Sequence, residues 1–216
     1  TEFGLDLNVV PSDRDRTFIF DLIRMSDSST SSGNGDSKTS VQDRQKGQLI
    51  RTRELAGVIA LGAHLETRDA QGYTPLLSAI VHGDEAAVDL LLAGGADLQS
   101  RATIVGRADY TPLMMAAERG RSGIVSILLR AGANADAVNN TGETALMLAC
   151  AAGHAEVVRV LLPVAYDTIN SCDKSHYTAL FKALVNLHVD VVRVLLQVQL
   201  PHVFLLAKVF MHQSLC

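Results

Sequence analysis

The chain has 216 residues, of which 48% are hydrophobic and 19% charged, and its formal net charge is −4. This hydrophobic content supports an ordered core, and the negative charge excludes a sequence-wide attraction to nucleic acid or to an anionic membrane surface. The longest uncharged apolar run covers about fourteen residues, which is too short to cross a bilayer. We therefore expect neither a nucleic-acid partner nor membrane insertion.

The chain begins with a short segment, 1–25, that precedes a Ser-rich flexible linker, 26–47. Within the segment, Arg16–Met25 has the pattern of a small amphipathic helix, and we expect the segment to dock on the rest of the protein or to be partly disordered. Asp6–Pro11 (DLNVVP) resembles the D-L-N-x-x-P repression motif of plant transcriptional regulators. In a protein of that class, the motif would recruit a co-repressor.

A single pattern then recurs four times, and each copy is marked by a threonine at the start of a helix. The threonines are Thr74, Thr111, Thr144 and Thr178, so their successive spacings are 37, 33 and 34 residues. A period near 33 with two short helices per copy is typical of a stacked array, in which no unit buries its apolar face alone.

Each copy contains start and stop signals for its helices. The threonine hydroxyl caps free backbone N–H groups, and a proline follows it in the first two copies. The first helix ends at Gly83, Gly120 and Gly153 in the first three copies. The second helix has apolar residues three and four positions apart, which predicts one buried stripe. A small residue, such as Ala116, occupies a fixed slot where neighbouring backbones approach closely.

These copies resemble ankyrin repeats, whose core reads roughly D-x-x-G-x-T-P-L-H-x-A-A-x-x-G-H-x-x-I-V-x-x-L-L-x-x-G-A-D. The resemblance implies an all-α ankyrin-repeat solenoid of stacked helix–turn–helix units with projecting hairpin-like fingers. It also implies a concave face that consists of the fingers and the first helices. The chain departs from the pattern at Asp109 and His176, which replace the finger glycine, and at Leu187, which replaces the helix-ending glycine.

The register divides the chain beyond the linker into successive units. Leu55–Asp69 resembles the second helix and turn of a further unit, whose first helix, near Gly47–Thr52, is charged and atypical. We assign a degenerate N-terminal capping repeat (48–68), ankyrin repeat 1 (69–101), a loop insertion (102–105), repeat 2 (106–138), repeat 3 (139–172), repeat 4 (173–199) and an apolar C-terminal tail (200–216).

No motif for catalysis, for a metal or for another cofactor is found in the sequence. There is no H-E-x-x-H, G-x-S-x-G, paired C-x-x-C or phosphate-binding loop. The resemblance assigns His154 and His188 to the loop between the two helices as structural elements. Three cysteines form no disulfide framework, which favours a reducing compartment: the cytoplasm, with the nucleus as the alternative.

The register also identifies candidate partner-binding positions. Tyrosine combines contact area with a hydrogen-bonding end, and methionine adapts to apolar partners. The alternatives are packing between fingers for the tyrosines and core packing between repeats for the residues that follow the threonines. The candidates are Tyr73, Tyr110, Glu143 and Tyr177 in the fingers, Leu77, Met114, Met147 and Phe181 in the first helices, and Glu118 and Arg119 at a helix end.

The function predicted from these positions is a non-catalytic adaptor or scaffold. It would bind a partner protein or an extended peptide on the concave face, and a small-molecule ligand is not expected. Two alternatives stay open at this point: a targeting or regulatory ankyrin region of a larger enzyme or channel, and a plant-type transcriptional regulator that uses Asp6–Pro11.

Overall fold

The computed structural model describes residues 13–24, 41–104, 107–166 and 168–197. Asp6–Pro11, most of the Ser-rich linker and the apolar tail therefore lie outside the described residues. The elements in chain order are α1 (Asp13–Arg24), α2 (Val41–Ala60), α3 (Pro75–His82), α4 (Glu85–Ala93), β1 (Ala102–Ile104), β2 (Arg107–Tyr110), α5 (Pro112–Glu118), α6 (Ser122–Arg130), α7 (Ala145–Ala152), α8 (Ala155–Leu161), α9 (Ala179–Val185) and α10, a helix over 189–197.

The helices stack in two rows. The inner row contains α3, α5, α7 and α9, each in contact with the next, and the outer row contains α4, α6 and α8. Each inner helix also contacts the outer helix that follows it, so that α3–α4, α5–α6 and α7–α8 form pairs. One continuous cluster of buried side chains extends along the stack from Ile19 to Leu195. Since each pair is only two short helices thick, most of this burial comes from contacts between units.

The inner helices begin where the sequence predicts. The hydroxyl oxygens of Thr74, Thr111, Thr144 and Thr178 each accept a hydrogen bond from the backbone N–H three residues later, at distances of 3.2–3.4 Å. All four threonines have extended backbone geometry, as expected of a residue that caps a helix from outside. These caps place the fingers at the start of every inner helix.

The N-terminal end of the stack differs from the expected arrangement. We expected a first helix of the cap near 47–52, but these residues lie inside the single helix α2. The inner row is instead extended by α1, which contacts α3, while α2 contacts α4 and extends the outer row. Ile19 and Ile23 of α1 are fully buried. The amphipathic segment therefore docks on the array, because its apolar face covers the first inner helix.

The loop insertion after repeat 1 is part of a β-hairpin. β1 and β2 pair antiparallel, with Ala102 opposite Tyr110 and Ile104 opposite Arg107, and a bulge follows Ala102. Among the residues that the structure describes, β1 and β2 form the only sheet. The extra residues thus extend the backbone of the second finger into a paired ribbon.

Three residues adopt a left-handed backbone where the family pattern has glycine. They are Asp109 (φ 67°), His176 (φ 65°) and Leu187 (φ 59°). The positive φ shows that the turn geometry is retained although the residue type is not. Asp tolerates this region better than a branched or bulky residue does, so the strain is greatest at Leu187.

Candidate partner-binding surface

Each regular finger is built around one Asx side chain. The Oδ1 atom of Asp69 accepts hydrogen bonds from the backbone N–H groups of Gln71 and Tyr73, both at 2.9 Å. Asn139 does the same for the third finger, and Asp173 does so for the fourth. The side chain therefore replaces part of a backbone ladder and fixes a turn that would otherwise be flexible.

Adjacent fingers are tied to one another. The Arg68 guanidinium donates to the carbonyl oxygen of Arg101 at 2.8 Å, and Arg101 in turn donates to the carbonyl oxygen of Val138 at 2.9 Å. Between the last two fingers, the backbone N–H of Lys174 donates to the carbonyl oxygen of Thr141 at 3.0 Å. The four fingers therefore form one continuous edge and present their exposed groups in a fixed relation.

The finger position before each threonine does not project equally in all units. Tyr73 is half-buried against the core, and Tyr110 is only 7% exposed. Tyr177, by contrast, is 46% exposed. Tyr110 was a candidate partner-binding residue, and this assignment is corrected, because Tyr110 lies in the paired strand β2 and is part of the core cluster. Glu143 is half-buried by interactions with its neighbours.

The apolar positions in the inner helices are mostly core. Leu77, Met114 and Met147 are fully buried, which leaves them without surface for a partner. Phe181 occupies the same slot in α9 and is exposed, and its ring stacks on Tyr177 with a centroid distance of 4.7 Å. The difference arises because another inner helix covers this slot in each earlier unit.

The end of the second inner helix carries two charged candidates. Glu118 is half-buried, and its backbone carbonyl oxygen accepts a hydrogen bond from Nε2 of His154 at 2.9 Å. Arg119 follows as the C-cap of α5 and is exposed. His188 makes the equivalent bond to the carbonyl oxygen of Ala151 at 3.0 Å. Both histidines thus bridge adjacent units, in keeping with a structural role.

An ion cluster joins the third and fourth units. The Lys182 ammonium lies 2.6 Å from Oε1 of Glu143 and 2.8 Å from Oδ2 of Asp173. All three side chains are largely shielded from water. Nζ of Lys182 also lies 5.9 Å from the centre of the Tyr177 ring. Glu143 is further held by Asn139 and Thr141.

The cluster shifts the protonation equilibria of its members. Burial alone would raise the pKa of Glu143, but hydrogen bonds from Lys182, Asn139 and Thr141 outweigh it and lower this pKa. The pKa of Asp173 is lowered in the same way, against burial, by Lys182 and by backbone N–H groups. Burial would lower the pKa of Lys182, yet the two carboxylates raise it. All three groups are therefore charged at neutral pH, and the cluster carries one net negative charge.

The sequence analysis identified Glu143 but missed its two ionic partners. Lys182 occupies a slot that holds Ser78, Met115 and Leu148 in the other units, so periodicity gives no signal for it. Asp173 matches the Asx position that forms the turn of each finger. That match predicts the turn, but it does not predict the ion pair with Lys182. The arginines that tie the fingers together were missed for the same reason, since their acceptors are backbone carbonyls in another unit.

The described residues provide no catalytic or metal-binding constellation. Within the four described ranges, no group of three or more His, Cys, Asp or Glu side chains is arranged to hold a metal ion. Burial raises the pKa of the Cys150 thiol to about 12, so its reactive thiolate form is suppressed at neutral pH. None of the helices in these ranges is long and apolar enough to cross a membrane.

Comparison with known families agrees with this architecture. A family model described as "Ankyrin repeats (3 copies)" matches residues 113–202, and one described as "Ankyrin repeat" matches residues 71–102. The chain belongs to the ankyrin repeat family. The expected all-α ankyrin-repeat solenoid is therefore confirmed, and ankyrin repeats are generally protein–protein interaction modules. No curated protein matches the sequence.

Proposed function

We propose that this ankyrin-repeat protein is a non-catalytic adaptor or scaffold that binds a protein or an extended peptide. The proposed site is the inner face, which we define as the four fingers together with the exposed ends of α3, α5, α7 and α9. The observation that carries the proposal is the exposure of Tyr177 on a finger that is fixed by the Asp173 side chain and by a hydrogen bond to the third finger. Exposed tyrosines on rigid supports bind at low entropic cost and are enriched in binding hot spots.

The middle of the inner face leaves room for a partner backbone. Ala151 and Ala152 end α7, and both are small. The repeat position of Ala152 carries Arg119 at the end of α5 and Asn186 after α9, so this small residue lies between longer polar ones. This arrangement favours a shallow groove in which an extended segment contacts polar groups on each side. Tyr177 would then anchor the segment near the fingers.

In this proposal, the ion cluster holds the fourth finger in position and does not itself bind a charged group of the partner. Lys182 is neutralised by two carboxylates, and its remaining role is to fix the position of Glu143 and of the fourth finger. A rigid finger reduces the conformational entropy that binding would otherwise cost. We therefore assign specificity to Tyr177 and Arg119 and assign positioning to the cluster.

The proposed setting is intracellular. Both cysteines within the described ranges, Cys150 and Cys172, are free thiols, and Cys172 is exposed. Exposed free thiols favour a reducing compartment. The cytoplasm fits this condition, and the nucleus fits it as well.

A matched pair of charge reversals tests the proposed face. Arg119→Glu changes the inner face at the end of α5, and Arg130→Glu makes the same change at the end of the outer helix α6. Proteins captured by the unaltered chain are quantified by mass spectrometry beside those captured by each variant and by Tyr177→Ala. We expect Arg119→Glu and Tyr177→Ala to lose the same captured protein while Arg130→Glu retains it. Equal retention by all three variants would contradict an inner-face site.

A further inference from the structure

A cleft lies between α8 and α10, the second helices of the third and fourth units. Its volume is about 260 Å³. The residues that line it are Arg159, Leu162, Pro163, Tyr166, Val194 and Gln197. We call this site the outer cleft. It shares no residue with the fingers or with the exposed ends of the inner helices, so it is separate from the inner face.

The outer cleft forms where α8 ends early. The helices α4 and α6 are nine residues long and end at Ala93 and Arg130, whereas α8 is seven residues long and ends at Leu161. Pro163 takes the aligned position of Ala93 and Arg130. Because proline has no N–H, it cannot donate to the carbonyl oxygen four residues earlier. The neighbouring α10 is helical up to residue 197, which aligns with Pro163, so its last turn has no turn of α8 beside it.

The turn that follows α8 also differs from its counterparts. In the first two units, Gly95 and Gly132 have a left-handed backbone (φ 91° in both), and an alanine follows each of them. The third unit has Ala165 and Tyr166 at these two positions, and Ala165 does not adopt the left-handed backbone. Tyr166 is 41% exposed. A tyrosine therefore forms a wall of the outer cleft where the other turns have only a methyl group.

The outer cleft combines an apolar floor with one cation. Leu162 and Val194 are buried, and no described carboxylate lines the cleft. The Arg159 side chain is about half exposed, and its Nε donates to Oε1 of Glu156 at 3.2 Å. Glu156 is itself largely exposed, and an exposed pair of this kind is weak. Since a guanidinium presents five N–H donors, Arg159 retains donors for a second carboxylate.

We propose that the outer cleft binds a segment of a partner protein that carries an apolar side chain next to a carboxylate. The apolar side chain covers Leu162 and Val194 and packs on the Tyr166 ring, and the carboxylate accepts hydrogen bonds from the terminal nitrogens of Arg159. The volume of about 260 Å³ is below the roughly 300–1,000 Å³ of pockets that enclose small-molecule ligands, and apolar walls offer water few partners. One inserted side chain therefore fits the cleft better than a small ligand does.

A short peptide with the proposed chemistry provides the first test on the full-length chain. The probe is the acetylated and amidated tetrapeptide Gly-Asp-Leu-Gly. One control, Gly-Asn-Leu-Gly, lacks the charge, and the other, Gly-Asp-Ala-Gly, lacks the large apolar side chain. In titrations followed by proton–nitrogen correlation NMR, we expect saturable shifts confined to residues 159–166 and 193–197, and about fivefold weaker binding of each control. Equal affinities for the three peptides, or no saturable shift at these residues, would overturn the proposal.

Two arginines at aligned positions test the role of the cation. Arg159 lines the cleft, whereas Arg193 of α10 is exposed and does not line it. We expect Arg159→Gln to bind Gly-Asp-Leu-Gly and Gly-Asn-Leu-Gly equally, and Arg193→Gln to keep the fivefold preference. An unchanged preference in Arg159→Gln would refute the assigned role. Gln197→Trp places a ring at the mouth of the cleft and should abolish the shifts at residues 159–166; binding that persists would place the peptide elsewhere.

Two further measurements distinguish the other possible occupants. Tyr177→Ala should bind the probe as the unaltered chain does, because the outer cleft is independent of the inner-face function; loss of binding would assign the probe to the inner face and overturn the proposal. Nuclear Overhauser effects are also recorded from the methyl groups of Leu162 and Val194 without the peptide. Contacts from these methyl groups to residues 198–216 would show that this chain fills its own cleft, which would equally overturn a partner site.

Discussion

A substitution at Gly120 tests how adjacent units are locked together. Gly120 has a left-handed backbone (φ +71°), and a Cβ atom added there would lie 2.6 Å from Nδ1 of His154 in the next unit. The His154 ring cannot withdraw freely, because its Nε2 is bonded to the carbonyl oxygen of Glu118 at 2.9 Å. Gly120→Ala therefore forces a change in backbone geometry and also displaces a histidine that bridges two units.

The two costs can be separated with a second glycine. Gly132 has a similar backbone (φ +91°), but a Cβ atom there meets nothing within 4 Å. Gly132→Ala should destabilise the protein by about 0.5–1.5 kcal/mol, since the left-handed penalty of about 1–2 kcal/mol is partly offset by a less flexible unfolded chain. Gly120→Ala adds a lost hydrogen bond of about 0.5–1.5 kcal/mol and local overpacking of about 1–3 kcal/mol. We expect a total of about 2–6 kcal/mol.

Urea unfolding followed by far-UV circular dichroism measures both free energies, and it suits a chain that has no tryptophan. When the Gly120→Ala/His154→Ala double variant is compared with His154→Ala alone, the change at Gly120 should cost only about as much as Gly132→Ala, because the ring that would clash is absent from both proteins. Equal destabilisation by Gly120→Ala and Gly132→Ala would refute the argument that His154 locks adjacent units.

Three further predictions follow from the buried groups. Lys182→Met should destabilise the protein by about 1–3 kcal/mol at neutral pH, because two shielded carboxylates lose their cation. Since the folded pKa values of Glu143 and Asp173 are lowered, their stabilisation is present above the ordinary carboxyl pKa and is lost as pH falls through the lowered values. Unfolding free energies measured from pH 7 to pH 3 should therefore fall less steeply for Lys182→Met than for the unaltered chain, and parallel curves would contradict the linkage. Ala116→Leu should cost about 1–3 kcal/mol by urea unfolding, because this alanine is fully buried between inner helices, and an unchanged midpoint would contradict the register. Iodoacetamide should alkylate exposed Cys172 in the folded protein but spare Cys150, whose pKa is about 12, and peptide mass spectrometry that finds early modification of Cys150 would contradict its burial.

The repeating parts of the fold could be predicted from the sequence because their causes are local. The cap from Thr144 to the N–H of Met147 depends on residues three positions apart, and the turn at Gly153 depends on one backbone conformation. Because the copies align in one register, the role of a residue in one unit predicts the role of the aligned residue in the next unit. The family comparison confirms this reading over most of the array.

The exceptions arise where the determinants lie in another unit or at an end of the stack. Tyr110 occupies the finger position before the threonine, where Tyr177 is exposed in the fourth finger. In the second finger, however, the strand that contains Tyr110 pairs with β1, and the Tyr110 ring lies in the core. Phe181 and Met147 share a slot and differ in burial because α9 follows α7, whereas no further inner helix is described beyond α9. Docking of α1 on α3 could not be read from periodicity, since a long polar linker separates α1 from α2.

The central claim, that a partner binds the inner face, is tested most directly by hydrogen–deuterium exchange with the captured partner. Amide exchange is compared in the free and partner-bound full-length chain, peptide by peptide. We predict slower exchange in the finger segments 139–143 and 173–177 and at the C-terminal ends of α5 and α7, with no change in the outer helices α4, α6 and α8. Slower exchange confined to the outer helices would contradict the claim.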